Sequence, residues 1–419
     1  MTLLLKKTRI IDPGKPLHQT VRDILVRNGR IAEVAEEIDA PADRIVEISG
    51  LLAAPGFVET FADAADPGTE FRETLESAAA AAAAGGFTHL FVLPNTKPVR
   101  HDRPTLEATL NRRLTAPVRL HAIGAVTRDT AGKELAEMHD MRAAGAIAFS
   151  DGLAPIRQAG ILVKAFQFVK AFDGVIIQLA DDGSLVPHGL MHEGVMSTRL
   201  GLPGRPALAE ELSVSRDIAL CRYASSRLHL TGLTLPSSLT AVAEARRQGV
   251  DVTCAITPQH LLFCDEDLSD YDTNLKFHPP LRTRSDRDAL RQAIRNGEVD
   301  ILSSHHLPQH IDHKQCEFEY ARPGMIGLES CFCALRSLDI DTETIVRLLS
   351  RNPRQVFGLP DDGILPDSPA DLTLLLPDEE YRLSKEMLRS RSTNTPLLGQ
   401  MLKGRIVGTV LGENTMFCD

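Results

Sequence analysis

Seven apolar bursts recur along the middle of this chain, and each runs out into polar, Gly or Pro residues before a helix-like stretch. In order they are "THLFVLPNT", "VRLHAIGAV", "AIAFSDG", "GVIIQLADD", "RLHLTGLT", "DVTCAITPQH" and "VDILSSHHLP". Apolar, β-rich bursts of this length are strand signals, and strands that alternate with helices belong to parallel sheets. The rhythm therefore predicts repeated βα units closed into a barrel, with functional groups gathered where the strands end. The intervening segments agree. Leu239 to Gln248 reads as a helix closed by Gly249, and Ala78 to Ala84 reads as a helix stopped by Gly85-Gly86. The alanine run is a packing feature rather than low complexity.

The two ends differ from the middle. "TLLLKKTRIID", "DILVRNGRIAEVA" and "RIVEISGLLAAPG" are short alternating runs parted by Pro-Gly and Asn-Gly, and the style returns in "PADLTLLLP" and "GRIVGTVLGENTMF". These are strand and hairpin signals. The reading divides the 419 residues into a composite β domain of 1–53 with 360–419 and a barrel of 54–359.

Composition narrows the partners. A 43% hydrophobic, 24% charged chain buries a large core. The net charge of −10 comes with acids and bases mixed along the sequence, so no basic stripe for nucleic acid is present. No apolar run approaches the ~20 residues of a membrane span. The N-terminal charges follow the apolar stretch, the reverse of a signal peptide, so a cytoplasmic chain without membrane contact is expected. Seven scattered cysteines without a Cys-x-x-Cys pair are expected to be reduced, structural thiols. Neither a phosphate-binding Gly-x-x-x-x-Gly-Lys loop nor a dinucleotide fingerprint follows a strand.

Taken in order, "APGFVE", "AAAAAGGFTHLFVLPNTKP", "AFSDG", "LPGRPALAEELSVSRDIAL", "VTCAITPQHLL", "NLKFHPPLR", "VDILSSHHLP", "GMIGLES", "RNPRQVFGL" and "TNTPLLG" make the chain resemble, nearly end to end, the dihydroorotases of the amidohydrolase superfamily. The resemblance implies an α/β fold: a distorted (β/α)8 barrel of the amidohydrolase type with a small β-sandwich domain built from both termini. It also implies a chemistry. Dihydroorotases use zinc, often two ions, to polarise an amide carbonyl and supply hydroxide, while an aspartate moves the proton.

Position by position, the groups this chemistry needs are missing. The family's His-x-His-x-Arg loop falls on Phe61, Asp63 and Ala65. Phe61 has no lone pair, Asp63 retains a carboxylate, and Ala65 cannot clamp a substrate carboxylate as arginine would. The histidine ending the fifth strand falls on Gln178, and the next, three residues beyond His229, falls on Gly232. The family's Asp-His-Ala-Pro-His motif reads His305, His306, Leu307, Pro308, Gln309, so the base position holds His305. The asparagine of the Pro-Pro-Leu-Arg segment is His278, and a Phe-Gly pair is Pro323-Gly324. Asn95 is retained, and Asp151 matches either the metal-bridging aspartate or a loop cap.

From these losses no cofactor is expected, although zinc serves the active relatives. The expectation is a catalytically inactive dihydroorotase-like protein of pyrimidine biosynthesis that supports assembly of the aspartate transcarbamoylase catalytic subunit and is itself a homo-oligomer. The alternatives are a divergent cyclic-amide hydrolase with a remodelled single-metal site, built on Asp63, Asp151 or His305, and a self-assembling scaffold. The run "HHLPQHIDH" reads as a solvated loop, with His310 and His313 able to share a helical face. Asn95, His229 and His260 read either as structural groups or as vestiges of substrate binding.

Overall fold

The structure, a computed structural model, describes residues 2–112 and 116–418. Eight strands follow one another in a single parallel path: β1 (Phe57–Ala62), β2 (Phe87–Val92), β3 (Arg119–Gly124), β4 (Ala148–Phe149), β5 (Val175–Leu179), β6 (Arg227–Thr231), β7 (Asp251–Ile256) and β8 (Ile301–Leu302). Sequential neighbours pair throughout, for example Ile177 with His229 across β5 and β6. Successive side chains alternate between two cores. Val58, Phe91, Ile123, Ile177, Ala255 and Ile301 fill the inside of the barrel. Phe57, Leu90, Phe149, Ile176, Leu228 and Val252 face the helix layer, with Leu106, Phe166, Val214 and Leu239. The bursts read as predominantly apolar runs because both faces are buried.

Strands β1 and β8 meet where the path closes. Asp63 N–H donates to His306 O at 2.9 Å. The buried carboxylate of Glu59 accepts from Ser303 Oγ at 2.6 Å, from Ser304 N–H at 2.7 Å and from Phe61 N–H at 2.9 Å. One side chain thus ties the first strand to the last.

The termini build a second sheet, in which Leu52–Pro55 pairs antiparallel with the start of Asp371–Arg382. Around that seam lie Thr2–Ile10, Val21–Arg27 and Arg30–Ala35 on one side, with Met401–Leu411 and Asn414–Phe417 on the other. The expected Asn-Gly turn is present, with Asn28 and Gly29 both at positive φ as a tight hairpin demands.

The alanine run forms the helix Leu75–Ala84, N-capped by Thr74, which exchanges hydrogen bonds with Ser77, and ended by Gly85. It lies between β2 and the strand Met401–Leu411. Leu239–Arg247 belongs to the helix Pro236–Arg247, C-capped by Gln248, which starts earlier because a proline suits the first helical position. The cysteines form no disulfide among the described residues. Among the described residues no helix is long and apolar enough to cross a membrane.

Candidate active site

At the C-terminal end of β1, Phe61 stacks on His305, their ring centroids 4.5 Å apart and their planes 28° from parallel. His305 lies just past β8 with φ +45°, a left-handed conformation uncommon for a residue with a side chain. Its Nε2 is 2.7 Å from Thr231 Oγ1, at the end of β6. The next residue, Gly232, has φ +68°, and a Cβ there would lie 2.6 Å from His305 Cε1. Three of the altered positions therefore fill one another's space. What is left is an inner chamber of about 20 Å³, lined also by Leu153, His278 and Gly324. Burial, with nearby His260 and His229, pushes the His305 imidazole down to about 3, so it stays neutral near pH 7.

The remaining positions are committed elsewhere. Asp63 pairs with Arg72 Nη1 at 3.1 Å and accepts from Ala65 N–H at 2.8 Å, so the loop holds its carboxylate turned back on itself. Ala65 is buried at φ +57°. Asp151 accepts from Val126 N–H and Thr127 N–H, both at 2.9 Å, and from the Thr127 hydroxyl. Of the two readings for Asp151, this geometry is that of the loop cap. Burial lifts its carboxyl to about 6 despite these donors.

Gln178 donates to Ile156 O and to Asp217 Oδ2. Asn95 donates to Asp151 O and accepts from Leu153 N–H, both at 3.0 Å, fastening two loops together. Gln309 donates to Pro323 O at 3.0 Å, and Gly324 packs so closely on Leu307 that a Cβ would lie 2.7 Å from it. His260 binds Pro279 O and Thr257 Oγ1, and His229 binds Thr253 Oγ1. These polar side chains, retained or altered, bond the barrel's own loops and strands.

The histidine run is corrected. His305 stacks in the inner chamber, and His306 is buried with Nε2 3.3 Å from Glu73 Oε2 and Nδ1 accepting from Gly327 N–H. Both lie directly past β8, where the end of a barrel strand turns residues inward rather than to solvent. His310 and His313 flank a short turn beside Phe71.

Zinc, which the resemblance implies, requires His, Cys or carboxylate donors converging at about 2 Å. Here an aromatic ring, an amide engaged elsewhere and a glycine stand at three ligand positions, while Asp63 and Asp151 are spoken for by Arg72 and Thr127. Among the described residues no three His, Cys, Asp or Glu side chains converge on a metal position. The donor set does not fit the ion.

Outside this plug, Leu153 and His278 also line a wider chamber of about 530 Å³, together with Thr130, Arg157, Gln158, Asp181 and Arg205. Asp181 holds Arg205 through both oxygens, at 2.9 and 2.8 Å, and lies 3.7 Å from His278 Nε2. Sequence reasoning missed Arg157, which has no motif around it, and Arg205, which sits in a quoted motif without a stated role. It also missed Glu59, whose serine partners Ser303 and Ser304 lie more than two hundred residues away along the chain.

Residues 49–235 match the family described as Dihydro-orotase-like. Across the whole chain there is 36% identity over 418 residues to a dihydroorotase of Syntrophus aciditrophicus (strain SB), covering 98% of both chains. A dihydroorotase of Geotalea daltonii (strain DSM 22248 / JCM 15807 / FRC-32) is 34% identical, again with 98% of both covered. Among solved structures, an L-hydantoinase (dihydropyrimidinase) from Arthrobacter aurescens superposes with a TM-score of 0.86 at 21% identity, covering 99% of this chain and 95% of that one. That likeness shows the fold. The relatives overturn the expectation of a catalytically inactive assembly subunit, because chains this similar from end to end carry the enzyme's name. They do not favour the single-metal hydrolase or the scaffold either. Lost metal ligands exclude one route through these residues and leave the reaction itself open.

Proposed function

The chain belongs to the dihydroorotase family, and from that premise we propose that it acts on dihydroorotate or on the ring-opened acid with which that cyclic amide interconverts, a step of pyrimidine biosynthesis. The observation that carries this reading is the 34–36% identity to dihydroorotases over 98% of the chain. The fold is consistent with it, since the open chamber lies at the C-terminal ends of the barrel strands, where barrels of this kind do their chemistry. No step is routed through a metal, because the residues at the ligand positions do not fit one. What these residues supply is a preformed mouth. Asp181 fixes Arg205 and lies beside His278, while Asn95 and Asp151 hold the loops of β2 and β4 in place.

The test is turnover by the purified chain in both directions, ring opening and ring closure, with and without chelator, beside elemental analysis for zinc. Turnover that survives the chelator, in protein with far less than one zinc per chain, is the expected result. Zinc bound stoichiometrically with chelator-sensitive turnover would overturn the fit argument. Binding of the acids without turnover in either direction would overturn the enzymatic reading, as would failure to restore growth to cells lacking dihydroorotase.

A further inference from the structure

If the family's carboxylate clamp is absent at Ala65, a ligand with a carboxylate needs another cation, and the outer chamber holds one. Arg157 lies on its wall, and its guanidinium donates no hydrogen bond and forms no ion pair in contact among the described residues. A longer-range attraction acts between it and Asp182. The second arginine of the chamber, Arg205, is already neutralised by Asp181. Two guanidinium groups thus face the chamber against the single carboxylate of Asp181.

The two arginines are neighbours across Gly183. A Cβ built at Gly183 would lie 2.6 Å from Arg157 Nη2 and 3.4 Å from Arg205 Nη1, so the glycine leaves the space in which they approach each other. Holding two guanidinium groups close costs repulsion unless an anion sits between them. Asp181 serves Arg205 but makes no contact pair with Arg157. A planar guanidinium with free N–H groups matches a carboxylate through two parallel hydrogen bonds. Gln158 and His278 on the same wall add polar groups suited to an amide or ureide. The plugged inner chamber leaves no comparable room deeper in the barrel.

We infer that the outer chamber is the ligand site and that Arg157, with Arg205 beside it, receives the carboxylate of a small acid carrying a cyclic amide or ureide. The inference rests on the proposed action on dihydroorotate and assigns its place: the carboxylate-binding arginine has moved from the loop after β1 to the loop after β4.

Calorimetric titration tests it with dihydroorotate, carbamoyl aspartate and dihydrouracil, the last lacking the carboxylate. The proteins are wild type, Arg157→Ala and Arg157→Lys. The Arg157 residue is exposed and its carbonyl bond to Arg216 survives substitution, so the variants are expected to melt with the wild type. Arg157→Ala is expected to weaken the acids by about ten- to a hundredfold, the loss of a charge-assisted pair, with partial recovery in Arg157→Lys. Dihydrouracil is expected to bind all three proteins alike. Acids that bind wild type and Arg157→Ala equally would overturn the site assignment and leave the proposed substrate standing. Acids that fail to bind wild type at millimolar concentration would overturn both.

Discussion

Gly232 combines φ +68° with a Cβ direction aimed at His305 Cε1, so restoring any side chain there is opposed twice, by backbone conformation and by contact. Gly232→Ala is expected to cost about 1–3 kcal/mol of stability. In a His305→Ala background the contact part disappears and only the backbone part, about 1 kcal/mol, remains. Urea unfolding of the four proteins measures this, and an equal cost in both backgrounds would show that the imidazole does not occupy the space. The same geometry explains what was and was not legible in the sequence. The substitutions at Phe61, Gly232 and His305 could be read one at a time, because each shows in its own letter. That they pack against each other could not, since His305 reaches Phe61 from more than two hundred residues further along the chain. Asp151 was legible only as two alternatives, because a carboxylate that caps Thr127 is written like one that holds a metal.

At the scale of elements the bursts were legible because a strand buried on both faces is largely apolar: all six residues of β1 and of β2 are buried, with Glu59, Thr60, Thr88 and His89 the polar exceptions. The closure between β1 and β8 was not legible. It depends on Glu59, a single acid that accepts from Ser303 and Ser304, more than two hundred residues further along the chain. The helix Leu75–Ala84 shows how an element can be chosen for thinness. Ala78, Ala79, Ala81, Ala82 and Ala83 are all buried, and the helix touches β2 on one side and Met401–Leu411 and Asn414–Phe417 on another. Only a helix with methyl side chains on more than one face fits between two sheets in this way. Ala82→Leu is therefore expected to destabilise by about 1–3 kcal/mol through overpacking, whereas an apolar gain at a one-sided helix would be neutral or favourable. Thermal unfolding decides it, and an unchanged or higher Tm would mean the helix has slack on its second face.

For the whole molecule the question is what makes barrel and terminal sheet one structure, and a buried polar network lies at their junction. Asp371, which opens the strand Asp371–Arg382, lies 3.0 Å from His89 Nε2 on β2 and accepts from Arg354 Nη2 at 2.9 Å. Arg354 also donates to Gly56 O at 2.8 Å and to Pro360 O at 3.0 Å, and His89 Nδ1 lies 2.9 Å from His121 Nε2 on β3. Burial opposes ionisation of Asp371, but Arg354 and then His89 outweigh it and hold the carboxyl well below the usual carboxylate range. A folded-state pKa lowered in this way contributes stability that is fully present above the ordinary aspartate value of 3.8 and fades as the pH falls below it. Asp371→Asn keeps the shape of the side chain and removes its charge, leaving the Arg354 guanidinium, 4% exposed, without a counter-ion. Removing one partner of a fully buried pair costs about 3–5 kcal/mol, and the one-fifth exposure of Asp371 places the expected loss near the lower figure. The variant is expected to melt lower than the wild type at pH 7, and the gap between them is expected to narrow as the pH is taken below 3.8, where the wild-type carboxylate begins to lose the same interaction. Melting curves from pH 7 down to the acid limit of solubility measure both features. Equal stability at pH 7, or a gap that widens in acid, would show that the junction is held by apolar packing of the two sheets rather than by this charge.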